Sequence, residues 1–251
     1  MTEPHRPLAV VTGASSGIGL ELAREFSRHG FELVVAAEDD GLRAVADALG
    51  AEGVQVDLAT PAGVEELHAR VRHRHVTALA LNAGITARSD DLDRELELVD
   101  LNCRSLVHLA RLLTAEMAAA GRGRVLITAS IVEAFPGPHQ AAYNASKAFA
   151  RSFGISLRHE LRDHGVSVTV LEPGATDTPI FAKAGQETTI LGGDMPKDEP
   201  SEVAQQAFEA LMAGRETVVA ASTLTKATHL VSRFLPDAVT ARVSGLLTKP
   251  R

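Results

Sequence analysis

Apolar residues recur along this chain in two alternating patterns. The first is a short, mostly unbroken run, seen at Leu8–Val11, Leu33–Ala37, Val54–Val56, Val76–Leu81, Arg124–Ala129, Val166–Leu171 and Thr217–Ala220. Such runs suit strands buried on both faces of a parallel sheet. The second is a longer stretch with helical spacing and good helix formers. It covers Leu20–His29, Leu42–Leu49, Pro61–Arg72, Leu92–Ala120, Tyr143–Arg162 and Pro200–Met212. Gly30, Gly50 and Gly214 supply stops, and Thr60 an N-cap ahead of Pro61. Strand and helix alternate throughout. This predicts an α/β protein: a doubly wound parallel sheet of about seven strands with helices on both faces. No break in composition marks a second domain, so residues 1–251 are expected to form one.

The polar residues narrow the picture further. Gly13, Asp57, Asn82, Ser130 and Pro173-Gly174 each fall just past the C-terminal end of a predicted strand. Open α/β sheets bind their ligands along that edge. Gly13 begins a G-x3-G-x-G turn, Thr12–Gly19, set between a strand and a helix. Backbone N–H groups and a helix N-terminus in that setting hold a pyrophosphate, and glycines let it approach. Further on, Tyr143 and Lys147 stand at i and i+4 of a predicted helix, neighbours on one face. A positive charge beside a phenol favours the phenolate and moves the group toward proton exchange at neutral pH.

Composition excludes several classes. Hydrophobic residues at 45% and charged residues at 23% are ordinary globular values and argue against disorder. A net charge of −7 argues against nucleic acid as a partner. The one basic run, Arg70–His75, reads as the solvated end of a helix. Cys103 is the only cysteine, so neither an intramolecular disulfide nor a thiolate metal site can form. There is no apolar signal core behind Met1–Pro7 and no apolar run of about 18 residues. A cytoplasmic protein without membrane contact is the expectation.

Taken together, Thr12–Gly19, Asp57, Asn82-Ala83-Gly84, Asn102, Ser130, Tyr143-Asn144-Ala145-Ser146-Lys147 and Pro173-Gly174 with Thr178 resemble the short-chain dehydrogenase/reductase family in its standard single-domain form. They stand in the family's order and spacing, including the thirteen residues from Ser130 to Tyr143, and the resemblance runs from about residue 8 to 182. It implies a Rossmann-type fold and hydride transfer between a nicotinamide cofactor and a secondary alcohol or ketone. Tyr143 would be the acid/base at the substrate oxygen. Lys147 would lower the Tyr143 pKa and hold the nicotinamide ribose. Ser130 would orient the substrate oxygen, and Asn102 would bend its helix and hold a water linking Lys147 to solvent. Cofactor contacts would come from Gly13, Ser15, Ser16, Gly17, Ile18 and Gly19. Asp57 and Leu58 would meet the adenine, and Asn82, Ala83 and Gly84 the adenosine side. Pro173, Gly174, Thr176 and Thr178 would surround the nicotinamide, and Thr12 would tie the glycine turn to Asn82. A homodimer or homotetramer, often through the helix bearing Tyr143, is implied as well. Epimerisation or enoyl reduction on the same frame stays open. So does a dinucleotide-binding sensor or scaffold without turnover, although the intact Ser130, Tyr143 and Lys147 set argues against it.

Strand two ends Ala36-Ala37-Glu38-Asp39-Asp40, where the adenosine ribose should approach. Carboxylates there repel a 2′-phosphate, and Glu38 stands where NADP-preferring relatives carry Arg. NAD is therefore expected over NADP. Residues 178–197, with Phe181, Lys183, Gln186, Ile190, Leu191, Gly192, Gly193 and Met195, read as a mobile substrate loop. Glu133 reads as solvent-facing, the alternative being contact with a polar or cationic substrate group, and His139 as a surface residue. The tail, 223–251, reads as a helical extension broken at Pro236. Its apolar positions Leu230, Val231, Phe234, Leu235, Val239, Val243, Leu246 and Leu247 are expected to pack against the subunit itself, the other uses being a cap on the substrate site, a subunit contact or a membrane surface.

Overall fold

The computed structural model describes residues 6–87, 90–183, 185, 189–190, 193, 196–220, 222–223, 225–226 and 235–249. Its strands are β1 (Leu8–Thr12), β2 (Glu32–Ala37), β3 (Glu52–Gln55), β4 (Val76–Leu81), β5 (Gly123–Thr128), β6 (Val166–Pro173) and β7 (Thr217–Ala220). They form one parallel sheet in the order β3-β2-β1-β4-β5-β6-β7. The helices are α1 (Gly17–Arg28), α2 (Gly41–Leu49), α3 (Pro61–Val71), α4 (Leu92–Val99), α5 (Leu106–Ala119), α6 (Ala141–Leu161), α7 (Ile180–Lys183), α8 (Pro200–Met212) and α9 (Asp237–Thr248).

Strand side chains alternate between two cores, one on each face of the sheet. Val10, Val34, Leu79, Ile127 and Val168 point to a face covered by Leu67 of α3, Leu109 of α5 and Leu157 of α6. Ala9, Val11, Val35, Ala80 and Leu126 point to the other, covered by Leu22 and Phe26 of α1, Leu42 of α2 and Phe208 of α8. There the Phe26 ring meets Phe31 and Phe208 edge-on, with centroids 5.1 and 5.3 Å apart, contacts worth about 0.5–1.5 kcal/mol each beyond their buried area. Because β2 and β4 flank β1, the strand order reverses direction at β1, and ligands bind in the crevice outside that point.

Two expectations need correction, and one is borne out with an addition. The helix read over 92–120 is not continuous. A π-helical turn, Asp100–Ser105, separates α4 from α5 and carries Asn102, as π-turns often do at functional sites. The basic run after α3 is the solvated helix end expected, with Arg70, Arg72, His73 and His75 exposed, while Arg74 pairs with both Glu32 and Glu52 at 2.6 Å on the edge of the sheet. And α9 packs by its polar face. Thr240, Ser244 and Thr248 are buried, while Val239, Val243 and Leu246 are exposed. Pro138 explains this orientation. It lies 3.4 Å from where a side chain on Gly245 would begin, and its carbonyl accepts from the Thr248 hydroxyl at 2.7 Å. Leu230, Val231 and Phe234 lie outside the described residues, as do Gln186, Leu191, Gly192 and Met195 and the side chains of Phe181 and Lys183. The base of the 178–197 segment is closed: Asp198 N donates to Ala175 O at 2.7 Å, and Asp177 N to Asp198 O at 3.0 Å.

Candidate active site

A cleft of about 770 Å³ runs along the C-terminal edge of the sheet, from the glycine turn to α9. At one end the walls are backbone. Gly13 has φ +67, and a β-carbon there would come within 2.9 Å of Ala83 Cα. Thr12 locks this approach. Its hydroxyl donates to Ala80 O at 3.3 Å and accepts from Asn82 N and Ala83 N, both at 3.0 Å. The Asn82 amide completes the tie, donating to Thr12 O at 3.2 Å and accepting from the Thr128 hydroxyl at 3.1 Å. Thr12 thus joins the glycine turn to the Asn82 turn, as expected from the sequence. Gly17 has φ +56 and packs against Thr178, which leaves a cradle that β-carbons would fill and a pyrophosphate fits.

At the other end the walls are side chains. Ser130, in an extended conformation after β5, hydrogen-bonds the Tyr143 phenol, and its hydroxyl accepts weakly from Val132 N at 3.4 Å. Tyr143 and Lys147 sit on consecutive turns of α6, with Lys147 Nζ 5.7 Å from the Tyr143 ring centre. The Lys147 ammonium donates to Thr128 O at 3.2 Å. Burial governs both titrating groups. It pushes the Tyr143 phenol up to about 12, with the Ser130 hydrogen bond pulling the other way. It pulls Lys147 down to about 8, against a small opposing effect of Cys103. Any lowering of the phenol by Lys147 is outweighed in the protein chain alone, where the net shift is upward. Loss of water around the phenolate outweighs what the neighbours return.

Asn102 is buried at the π-turn beneath this pair. Its amide donates to Ile85 O at 2.9 Å and to the Ser146 hydroxyl at 3.1 Å, and its oxygen accepts from Ile85 N at 3.0 Å. Next to it a cavity of about 20 Å³, bounded by Thr12, Asn102, Ser105, Thr128 and Lys147, has room for one water.

Most residues singled out in the sequence meet in the main cleft. Gly13, Ser15, Ser16, Gly17, Ile18, Glu38, Asp57, Leu58, Asn82, Ala83 and Gly84 line one part, and Ser130, Tyr143, Lys147, Pro173, Gly174, Thr176 and Thr178 the other. Two do not line it. Asn102 faces the small cavity, and Gly19 lies beneath the turn, where a β-carbon would sit 2.1 Å from Gly13 O. At the end of β2, Glu38 is exposed on the rim, and Asp39 accepts from the Ser15 hydroxyl at 2.7 Å. Glu133 points inward, contrary to expectation. Its side chain is 9% exposed and lies 3.5 Å from Arg151. His139 is exposed, with φ 65. Sequence reasoning missed Asp39 as the partner of the turn, Arg151, and the α9 hydroxyls of Thr240, Ser244 and Thr248 that line the cleft. Extending the i, i+4 spacing from Tyr143 and Lys147 by one turn would have reached Arg151. Nothing local marks the α9 residues.

A cleft at the switch point of a doubly wound sheet, ending in a hydroxyl–phenol–ammonium set, defines a dinucleotide-dependent oxidoreductase. The chain belongs to the short chain dehydrogenase family, whose model matches residues 7–189. It is 32% identical over 184 residues to the 3-oxoacyl-(acyl-carrier-protein) reductase of Escherichia coli, covering 69% of this chain and 75% of that protein. It is 29% identical over 185 residues to an NADP-dependent 3-hydroxy acid dehydrogenase of Salmonella typhi, covering 70% and 75%. Among solved structures it is similar to a short-chain dehydrogenase from Sphingobium yanoikuyae in complex with NADPH, with TM-score 0.81, 28% identity and coverage of 98% and 96%. A family member from Burkholderia phymatum in complex with NAD matches with TM-score 0.80, 26% identity and coverage of 92% and 94%. The protein is an oxidoreductase of this family, using NAD or NADP for hydride transfer at an alcohol or carbonyl carbon.

Proposed function

We propose that the protein interconverts a secondary alcohol and a ketone, with Tyr143 as the acid/base and NAD as the preferred dinucleotide. The observation that carries the reading is the Ser130–Tyr143 hydrogen bond beside the buried Lys147 ammonium. When bound, the nicotinamide supplies or accepts the hydride. In carbonyl reduction the Tyr143 phenol gives its proton to the substrate oxygen while the Ser130 hydroxyl donates a hydrogen bond to the same atom. A phenol pushed up to about 12 holds its proton at neutral pH, which suits the reducing direction. Lys147 keeps a positive charge behind the developing phenolate, and the water-sized cavity next to Asn102 supports proton resupply. The glycine cradle would take the diphosphate and the Pro173–Thr178 turn the nicotinamide.

NAD over NADP rests on charge. A 2′-phosphate of about −2 would meet Glu38 and Asp39 on the rim of the cleft. The remaining parts of the reading are that 178–197 acts as a mobile substrate loop, that 223–251 is an extension added to a single dinucleotide-binding domain, and that the enzyme is cytoplasmic and forms a homodimer or homotetramer. Oligomerisation is supported by apolar side chains exposed on neighbouring helices, with Leu92 at 68% and Leu96 at 55% on α4 and Phe149 at 41% on α6.

The experiment is Tyr143→Phe, assayed by nicotinamide absorbance against a panel of ketones and alcohols with both dinucleotides. Turnover should fall by about a thousandfold, with dinucleotide affinity within about twofold of the parent. Retained turnover would remove Tyr143 from its role.

A further inference from the structure

One turn beyond Lys147 on α6 stands Arg151, which points into a cluster of buried carboxylates rather than into the cleft. Its Nε lies 3.0 Å from Glu172 Oε1 and 3.5 Å from Glu133 Oε1, and the two carboxylate side chains are 2% and 9% exposed. Each member belongs to a different segment, and each segment carries a working part of the site. Glu133 lies in the short turn that Ser130 begins, with its N–H donating to Ser130 O at 3.1 Å. Glu172 precedes Pro173, whose carbonyl accepts from the Ser130 hydroxyl at 3.5 Å. Arg151 shares its helix with Tyr143 and Lys147.

We propose that Arg151, Glu133 and Glu172 form a positioning clasp that holds Ser130 in hydrogen-bonding reach of Tyr143. The proposal rests on the roles read above for those two residues. Ser130 and Tyr143 come from separate elements, and their two hydroxyls must converge on one substrate oxygen. The far side of the intervening loop is fastened by Asn144, whose amide donates to Val132 O at 3.3 Å and Phe135 O at 3.1 Å. The near side is fastened by the guanidinium, which faces carboxylates from the Ser130 turn and from the end of β6. Because the two carboxylates are buried, the cluster resists separation: moving Arg151 away leaves them charged without a counterion in a low dielectric. Displacing a reacting group by about 1 Å can cost two orders of magnitude in rate. An ion pair serving stability alone has no need to join the three segments that meet at the reacting oxygen.

The test exploits composition. Tyr143 is the only tyrosine and the chain has no tryptophan, so tyrosine isotope-labelled at Cζ gives a single NMR resonance that senses its hydrogen bond with Ser130. Ser130→Ala marks the position of the unbonded phenol. Glu133→Gln keeps the side-chain shape and leaves Arg151 paired with Glu172. It should move the resonance at least half-way to the Ser130→Ala position. It should also lower kcat for an activated aryl trifluoromethyl ketone about tenfold, with dinucleotide Kd changed less than about twofold. Glu172→Gln should act in the same sense, and it decides the matter if Glu133→Gln does not fold. A folded variant whose resonance stays at the parent position overturns the clasp, whatever its melting temperature. So does a moved resonance with kcat unaltered. The resonance needs no turnover, so a parent protein inactive on every carbonyl would sink the functional reading while leaving the clasp open to its own test.

Discussion

From Gly13 to Gly84 the cleft is walled by backbone: a turn with positive φ at Gly13 and Gly17, locked by the Thr12 hydroxyl to the turn that follows β4. From Ser130 to Thr248 it is walled by side chains, some joined across more than a hundred residues, as Thr248 is to Pro138. A diphosphate is the same in every dinucleotide, so a backbone mould serves, and glycine is the residue that leaves the mould open. A proton-transfer centre instead needs particular functional groups with shifted titration. The strongly shifted pair, Tyr143 and Lys147, stands on the side-chain half. The backbone half should therefore fail through sterics, and the side-chain half through protonation and positioning.

The largest effect is expected where the backbone mould is tightest. Gly19→Ala puts a β-carbon 2.1 Å from Gly13 O and 2.6 Å from the Asn82 amide nitrogen, neither a flexible chain end. Dinucleotide affinity should drop about a hundredfold, measured by calorimetry. Affinity within twofold of the parent would show that the turn yields and that the mould is not rigid.

Next in size is a pH effect confined to the other half. Lys147 holds its proton less tightly folded, at about 8, than unfolded, at 10.5, so its contribution to stability grows as pH rises across that interval and is lost as pH falls through about 8. Tyr143 has the opposite sign. Its pKa is raised from 10.0 to about 12, so its contribution is present below 10 and is lost as pH rises through about 12. Urea unfolding at pH 7 and at pH 10 should show the parent gaining on Lys147→Met over that range. A parallel pair of profiles would contradict the burial argument.

Smaller again is the effect at the rim, where charge can be changed without touching the mould. Glu38 is exposed, and Glu38→Arg should swing the NADPH-over-NADH preference by about tenfold, read by fluorescence titration. An unchanged ratio would assign selection to Asp39, which is held by Ser15. The smallest effect belongs to the α9 contact. Thr248→Val removes the hydroxyl that donates to Pro138 O at 2.7 Å and Ser244 O at 2.9 Å, and should cost about 1 kcal/mol in urea unfolding. Dinucleotide affinity should not change.

Much of this protein was legible in the order of its residues. The alternation of apolar runs and helical stretches determined the doubly wound sheet, because each strand–turn–helix unit is specified within a few dozen positions. The glycine turn, Ser130 and the Tyr143–Lys147 pair could be read for the same reason: the chemistry depends on spacing along one turn or one helix face. Tertiary structure decided the rest. Glu133 turns inward because Arg151 on another element offers it a counterion. The α9 helix buries its hydroxyls because Pro138 and the cleft lie on that side, which no local periodicity encodes. Tyr143 stands at about 12 instead of being drawn toward neutrality, because a pKa is set by the solvent a fold removes as much as by the charge a sequence places nearby.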